Sequence, residues 1–103
     1  MASLSWEDRD ETRWILIEGE LDHEGSHELG ESLASAAGAS TGAVIVDMSA
    51  VTFVGSHALR LLLEAHHKLD ALGRSMSVAG LKPLVRKVFE TTGIFDAIPE
   101  VER

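Results

Sequence analysis

The chain has 103 residues, of which 45% are hydrophobic and 25% charged, and its formal net charge is −8. This size and composition predict one globular domain over residues 1–103, with a single modest core and no disulfide framework or thiolate metal site, because cysteine is absent. The acidic balance argues against nucleic acid or anionic lipid as a partner, since phosphate contacts need clustered Lys and Arg, and favours a protein partner with a basic face.

The N-terminal part of the chain predicts two strands joined by a turn. Ser3–Glu7 alternates weakly around two apolar side chains and is typical of an edge strand, whereas Arg13–Leu21 contains four consecutive apolar residues and predicts a firm strand. The acidic segment Glu7–Glu11 between them favours a hairpin turn. The two strands are therefore expected to pair antiparallel at the edge of a sheet.

A loop and a first helix follow the second strand. Asp22–Ser26 combines small and polar residues and predicts a loop, in which Ser26 or a neighbour caps the helix. The apolar face of this helix is formed by Leu29, Leu33, Ala36 and Ala37. The small residues of Gly38–Gly42 then predict a short linker that returns the chain to the sheet.

The segment Ala43–Leu63 predicts a buried strand, a tight crossing and a second helix. Ala43–Met48 is a nearly continuous apolar run, typical of a central strand covered on both faces, and Asp47 lies near its predicted end. Phe53 and Val54 lead to a helix that opens on Ser56 and ends at Gly73. Its apolar stripe consists of Leu59, Leu62, Leu63, His66 and Leu69.

The remainder of the chain predicts one more strand and one more helix. Ser75–Ala79 is a short strand, and Pro83 suits the first turn of a helix that stops at Gly93. We expect this helix to bury Leu84, Val85, Val88 and Phe89, and Ile94, Phe95 and Ile98 to close the core. The order β-β-α-β-α-β-α predicts an α/β fold, with a mixed, mostly parallel sheet, an antiparallel N-terminal edge hairpin and helices packed against the sheet.

Two motifs on this framework resemble those of the STAS family, in particular the bacterial anti-sigma factor antagonists. Gly19-Glu20-Leu21-Asp22 is similar to the family's G-E-[LI]-D strand end. Asp47-Met48-Ser49-Ala50-Val51-Thr52-Phe53 is similar to its D-[LM]-S-x-V-x-F strand, and Gly55-Ser56-His57-Ala58-Leu59 occupies the place of its D-S-[ST]-G-L turn. The resemblance covers nearly the whole chain and implies a STAS fold.

The resemblance also implies a function. In that family a serine kinase that is also an anti-sigma factor phosphorylates the serine after the Asp, and the antagonist binds the kinase only while unphosphorylated. The matching residue is Ser56, so the resemblance implies a non-enzymatic regulator that is switched off by phosphorylation at Ser56. The partner-binding residues that it implies, on the second-strand loop and the helix start, are Asp22, His23, Glu24, Gly55, Ser56 and His57.

The turn departs from the family pattern, and this keeps a second function open. Gly55 replaces the family's Asp, His57 its Ser or Thr, and Ala58 its Gly. Loss of the Asp weakens recognition by a kinase, but it also removes a negative charge beside the phosphate, so the two effects oppose each other. The alternative is a STAS adaptor subunit of a signalling or lipid-transport complex that is not phosphorylated. Without the family, Ser56 serves as a helix N-cap, worth about 1 kcal/mol.

Other chemistry finds little support in the sequence. His23 and His27 would share a helix face only if the first helix began early, and Gly25 and Ser26 predict a loop there, so we expect no metal site and no cofactor. A hydrolase using Ser56 and His57 lacks a suitable base, because consecutive helical side chains diverge by about 100°. Neither a signal peptide nor an apolar run of about 20 residues is apparent, so we expect a cytoplasmic protein with no membrane insertion.

Overall fold

The described part of the chain forms five strands and three helices in an order typical of an α/β protein. The computed structural model describes residues 2–38 and 42–103, and only the backbone of residues 23–28. The elements are β1 (Ala2–Arg9), β2 (Thr12–Leu21), α1 (His23–Gly38), β3 (Ala43–Val54), α2 (Ser56–Ala71), β4 (Met76–Ala79), α3 (Pro83–Thr92), a 3₁₀ turn (Ile94–Asp96) and β5 (Glu100–Val101).

The strands form one sheet in the order β1-β2-β3-β4-β5. β1 pairs antiparallel with β2 and the other three pairings are parallel, as the predicted mixed sheet requires. The predicted hairpin turn is confirmed: Asp10 and Glu11 connect the paired residues Arg9 and Thr12, with φ of 50° and 67°. Two consecutive left-handed residues match the right-handed twist of the flanking strands, which makes a two-residue loop possible.

β3 is longer than the apolar run predicts. It continues beyond Met48 to Val54 because it stays paired with β2 up to the pair Leu21–Val54, with register shifts along the way. Asp47 therefore lies in the middle of β3, not near its end, although its pairing with Ala79 is the last one between β3 and β4. The extension of β3 brings the ends of β2 and β3 to the same edge of the sheet, called here the carboxyl edge.

The helices bury most of the residues that their periodicity predicts. The structure corrects three predictions: where α1 begins, the burial of Leu84 and the number of strands. α1 buries its predicted face but begins at His23, so the predicted loop at residues 23–26 and the cap at Ser26 are wrong. α3 buries Val85 and Phe89, whereas Leu84 is 78% exposed, contrary to the prediction. The strand β5 was not predicted, because two residues carry no periodic signal and β5 forms through its pairing with β4. Of the predicted linker, residues 39–41 lie outside the described part of the chain.

A buried arginine joins the hairpin to the first helix. Arg13 on β2 donates to both carboxylate oxygens of Asp8, at 2.8 and 3.0 Å, and to the carbonyl oxygen of Ala36 at 2.9 Å. Its guanidinium lies 3.7 Å from the ring centroid of Trp6. The hydrogen bonds from Arg13 hold the pKa of Asp8 below its usual value. A buried charge is tolerated here because its donors are paired.

Candidate functional site

The segments that follow β2 and β3 meet at the carboxyl edge. Leu21 and Val54, the last residues of the two strands, pair in register, and the Gly55 N–H donates to the Leu21 carbonyl oxygen at 2.8 Å. This bond holds the backbone that precedes α2 against the end of β2. Asp22 follows Leu21 in the chain and Ser56 follows Gly55, so both residues come directly after this hydrogen-bonded pair. Open α/β sheets place their binding sites at such an edge.

Helix α2 begins at Ser56, as predicted, but its N-cap is the residue before it. Gly55 is the N-cap, with φ −99° and ψ 172° and no side-chain cap hydrogen bond, and Ser56 is the first helical residue. The prediction that Ser56 caps the helix is therefore wrong. The first intrahelical bond runs from the Leu59 N–H to the Gly55 carbonyl oxygen at 3.1 Å. The positive end of the helix dipole lies at this first turn and favours an anion near the exposed Ser56.

His57 is engaged along the surface of α2. Its Nδ1 lies 3.0 Å from Nη2 of Arg60, one helical turn further on, and a neutral imidazole accepts the hydrogen bond from the guanidinium there. The hydrogen bond from Arg60 occupies the lone pair at Nδ1. The contact thus ties His57 to the first turn of the helix rather than presenting Nδ1 as a base.

The residues after β2 are described only in part. Asp22 is half-buried and lies between β2 and α1. His23 and Glu24 form the first residues of α1, and their side chains lie outside the described part of the structure. The backbone thus brings Asp22 close to Gly55 and Ser56, which are three of the six predicted partner-binding residues. The roles of all six remain predictions.

Both carboxylate oxygens of Asp47 accept hydrogen bonds within the fold. Its Oδ1 accepts from the Ser49 N–H at 3.0 Å, and its Oδ2 accepts from Arg103 Nε at 3.1 Å. Burial alone would raise the pKa of Asp47, but the hydrogen bonds from Ser49 and the charge of Arg103 outweigh it and lower this pKa below its usual value. Asp47 therefore fixes the irregular part of β3 to the C-terminal residues, away from the carboxyl edge.

One residue at the edge was not singled out from the sequence. Phe53, the penultimate residue of β3, is 52% exposed. A Cβ placed on Gly55 would lie 3.6 Å from Cε2 of its ring, so the ring lies against the backbone that opens α2. The position of Phe53 in a mostly buried, apolar strand gave no sign of this exposure, because the register shifts of β3 change which side chains face the core.

The described side chains contain no group of three or more metal-ligating residues that could hold an ion, and the absence of a metal site stays a prediction. The start of α1 at His23 removes the loop on which the argument against His23 and His27 rested, and the side chains of both histidines lie outside the described residues. No helix in the described ranges is long and apolar enough to cross a membrane.

Comparison with known proteins identifies relatives of this fold. The model of the STAS domain family matches residues 4–103. An anti-sigma factor antagonist from Mycobacterium paratuberculosis is 25% identical, with a TM-score of 0.86 over 97% of this chain and 85% of that one. The phosphorylated form of SpoIIAA, a cell fate determinant of Bacillus, is also 25% identical, with a TM-score of 0.72 over 98% and 91%. An anti-sigma factor antagonist domain protein from Planctomyces limnophilus shares the fold at 18% identity, with a TM-score of 0.84 over 99% and 91%.

Proposed function

The chain belongs to the STAS domain family, and on that premise we propose that it is an anti-sigma factor antagonist. It binds an anti-sigma factor that is also a serine kinase, and phosphorylation of Ser56 switches this binding off. The protein acts through protein–protein contact and not as an enzyme. The observation that carries the proposal is the exposed hydroxyl of Ser56 at the start of α2, next to the end of β2.

Two comparisons support the regulatory role. The Mycobacterium paratuberculosis structure is that of an anti-sigma factor antagonist, and the Bacillus structure is that of a phosphorylated protein. Both share this fold over nearly the whole chain. A fold alone does not determine function, so the argument for this chain rests on the chemistry of the carboxyl edge.

A phosphate at Ser56 is compatible with the folded chain. It would lie at the N-terminus of a 16-residue helix, where the positive end of the helix dipole stabilises an anion. It would also add a charge of about −1.5 to −2 beside Asp22, on an edge that is already acidic next to β2. A partner shaped around a neutral serine would then bury an unpaired anion, which costs several kcal/mol. Phosphorylation therefore preserves the fold and opposes binding.

The test is phosphate transfer from ATP by the candidate serine kinases of the same genome, followed by mass spectrometry. We expect phosphate on Ser56, none on the Ser56→Ala variant, and normal labelling of a Thr52→Ala control. Ser56→Asp should fold normally and bind the kinase at least tenfold more weakly, a loss of about 1.4 kcal/mol. The matched control is Ser75→Asp, which adds the same charge at an exposed serine just before β4 and should bind like wild type.

Gly55 favours a second candidate, a STAS adaptor that is not phosphorylated. The N-cap of α2 carries no side chain, so the carboxylate that the family resemblance leads us to expect beside the serine is missing. Phosphate mapped to Ser49 or to no residue, together with wild-type affinity of Ser56→Asp, would contradict the switch and favour the adaptor.

A further inference from the structure

One long edge of the sheet is unpaired over the described residues, 2–38 and 42–103. β1 is the outermost strand, and its eight residues pair with β2 alone, without a register shift. Proteins that remain monomeric blunt such an edge with a short strand, proline, lysine or a bulge. The opposite edge strand, β5, has only two residues, whereas β1 has no proline, lysine or bulge and is uncharged from Ala2 to Trp6. We call the unpaired side of β1 the hairpin edge.

The backbone of the hairpin edge offers hydrogen-bonding groups to another strand. In an antiparallel ladder, alternate residues direct their N–H and C=O groups to the partner strand, and the residues between them direct these groups away from it. The two-residue turn of this hairpin is closed by Arg9 and Thr12, which face each other. Counting back from Arg9 in steps of two, Ser5 also faces β2. The N–H and C=O groups of Leu4 and Trp6 therefore point outward from the sheet.

The side chains at the hairpin edge border an open groove. Leu4 and Trp6 pair with two fully buried residues of β2, so both lie on the face of the sheet that carries the core, yet Trp6 is 50% exposed. Both residues line a groove of about 760 Å³ between β1 and α1. Three of the four α1 residues that line it are small: Ser32, Ser35 and Ala36. A strand added at this edge would therefore have room for alternate side chains in the groove, as in other cases of strand addition.

We propose that the hairpin edge binds the same edge of a second copy of this chain, so that the two β1 strands pair antiparallel about a two-fold axis at Ser5. This register pairs every residue from Ala2 to Asp8 and places Leu4 of each copy opposite Trp6 of the other. The outward N–H and C=O groups of these two residues then bond between the copies. Their side chains meet on the groove side, where cross-strand pairs with an aromatic ring stabilise a sheet. The inference goes beyond the proposed function and does not use Ser56.

The charges of β1 favour this register over its neighbours. With the axis at Ser5, the two copies of Glu7 are four positions apart along the strands, about 14 Å, which exceeds the screening length of about 8 Å at physiological salt. An axis at Trp6 would bring them to about 8 Å and would place Leu4 opposite Asp8. An axis at Leu4 would pair only residues 2–6. Since each chain carries a net charge of −8, added salt should strengthen the dimer.

The first experiment measures the molar mass by sedimentation equilibrium over a range of protein and salt concentrations. We expect a monomer–dimer equilibrium that shifts towards the dimer as salt is added. Trp6→Lys places a charge on the hairpin edge and should weaken the dimer at least tenfold. The matched control is Leu72→Lys, at a 70% exposed side chain that follows α2, which should dimerise like wild type. Phosphorylation and kinase binding of Trp6→Lys should equal those of wild type, so the dimer and the proposed function stand or fail separately.

The second experiment tests the register by disulfide formation, which a chain without cysteine reports cleanly. Ser5→Cys places two thiols at the axis, where opposite Cα atoms are about 4.5 Å apart, within the range of a disulfide. This variant should form a covalent dimer under mild oxidation.

The controls are also single cysteines. Ser3→Cys should not form a dimer with itself, because its two copies are about 14 Å apart, but it should form a mixed disulfide with Glu7→Cys. Ser75→Cys, at an exposed serine before β4, measures cross-linking by random collision. If Ser5→Cys is oxidised to a dimer no faster than Ser75→Cys, the hairpin edge is refuted as the interface, whether or not the wild type dimerises. This result does not depend on whether Trp6→Lys folds, which melting curves show.

Discussion

A carboxylate at position 55 should stabilise α2, because the structure leaves this N-cap without a side-chain acceptor. Gly55 has φ −99° and ψ 172°, the extended conformation typical of an N-cap, so aspartate fits without backbone strain. Its Cβ would lie 3.4 Å from the Leu21 carbonyl oxygen and 3.6 Å from the Phe53 ring, both ordinary contacts. The new carboxylate can accept from the N–H of Ala58, the third residue of the helix.

The size of the effect follows from the preference of N-caps for aspartate over glycine. That difference is worth a few tenths of a kcal/mol, and it already contains the loss of glycine from the unfolded chain and the charge at the positive end of the helix dipole. Gly55→Asp should therefore raise the free energy of unfolding by about 0.3–0.5 kcal/mol, and Tm by about 1–4 °C.

The assay is urea and thermal unfolding of the wild type and three variants at low and high salt. Gly55→Asn provides the cap without the charge, so the part of the gain that is specific to Gly55→Asp should shrink as salt is added. Gly55→Ala provides neither and should be less stable than Gly55→Asp by about 1 kcal/mol. Equal stability of the Gly55→Asp and Gly55→Ala variants would refute the assignment of Gly55 as the N-cap.

Two further predictions concern the packing behind the site. Gly80→Ala should lower the free energy of unfolding more than Gly73→Ala does, by at least about 1 kcal/mol in urea unfolding. Both glycines have φ +71°, so the backbone strain of an alanine is the same at the two positions. A Cβ on Gly80, however, would lie 2.7 Å from Arg103 Cδ, whereas one on Gly73 meets no described atom within 4 Å. Equal losses would show that the contact is relieved freely. The lowered pKa of Asp47 means that the unfolded chain holds this proton more tightly than the folded one, so its contribution to stability is present above about pH 4 and is lost as the pH falls through the folded-state pKa. Asp47→Asn should thus lose less stability between pH 7 and pH 3 than wild type, and an equal loss would remove Asp47 from the acid response.

The elements around the candidate site were predicted from the sequence more accurately than the residues at which the helices begin. The helix that starts near Ser56 and the strand before it follow from apolar spacing, and both are present. The one-residue error in the cap arose because serine is preferred over glycine at an N-cap, while the bond from Gly55 to Leu21 fixes the backbone there. Similarly, Gly25 and Ser26 predicted a loop from their weak helix preference, although α1 already begins at His23.

Local pattern by itself determined the type and order of most elements, because burial of one face repeats every two residues in a strand and every 3.6 in a helix. That signal predicted the hairpin, the parallel strands and the buried faces of α1 and α2. Tertiary structure alone decided where β3 ends, that β5 exists and that Phe53 and Leu84 face solvent. These features depend on pairing and packing between residues distant in the chain, and a periodic pattern carries no information about which partner a side chain meets.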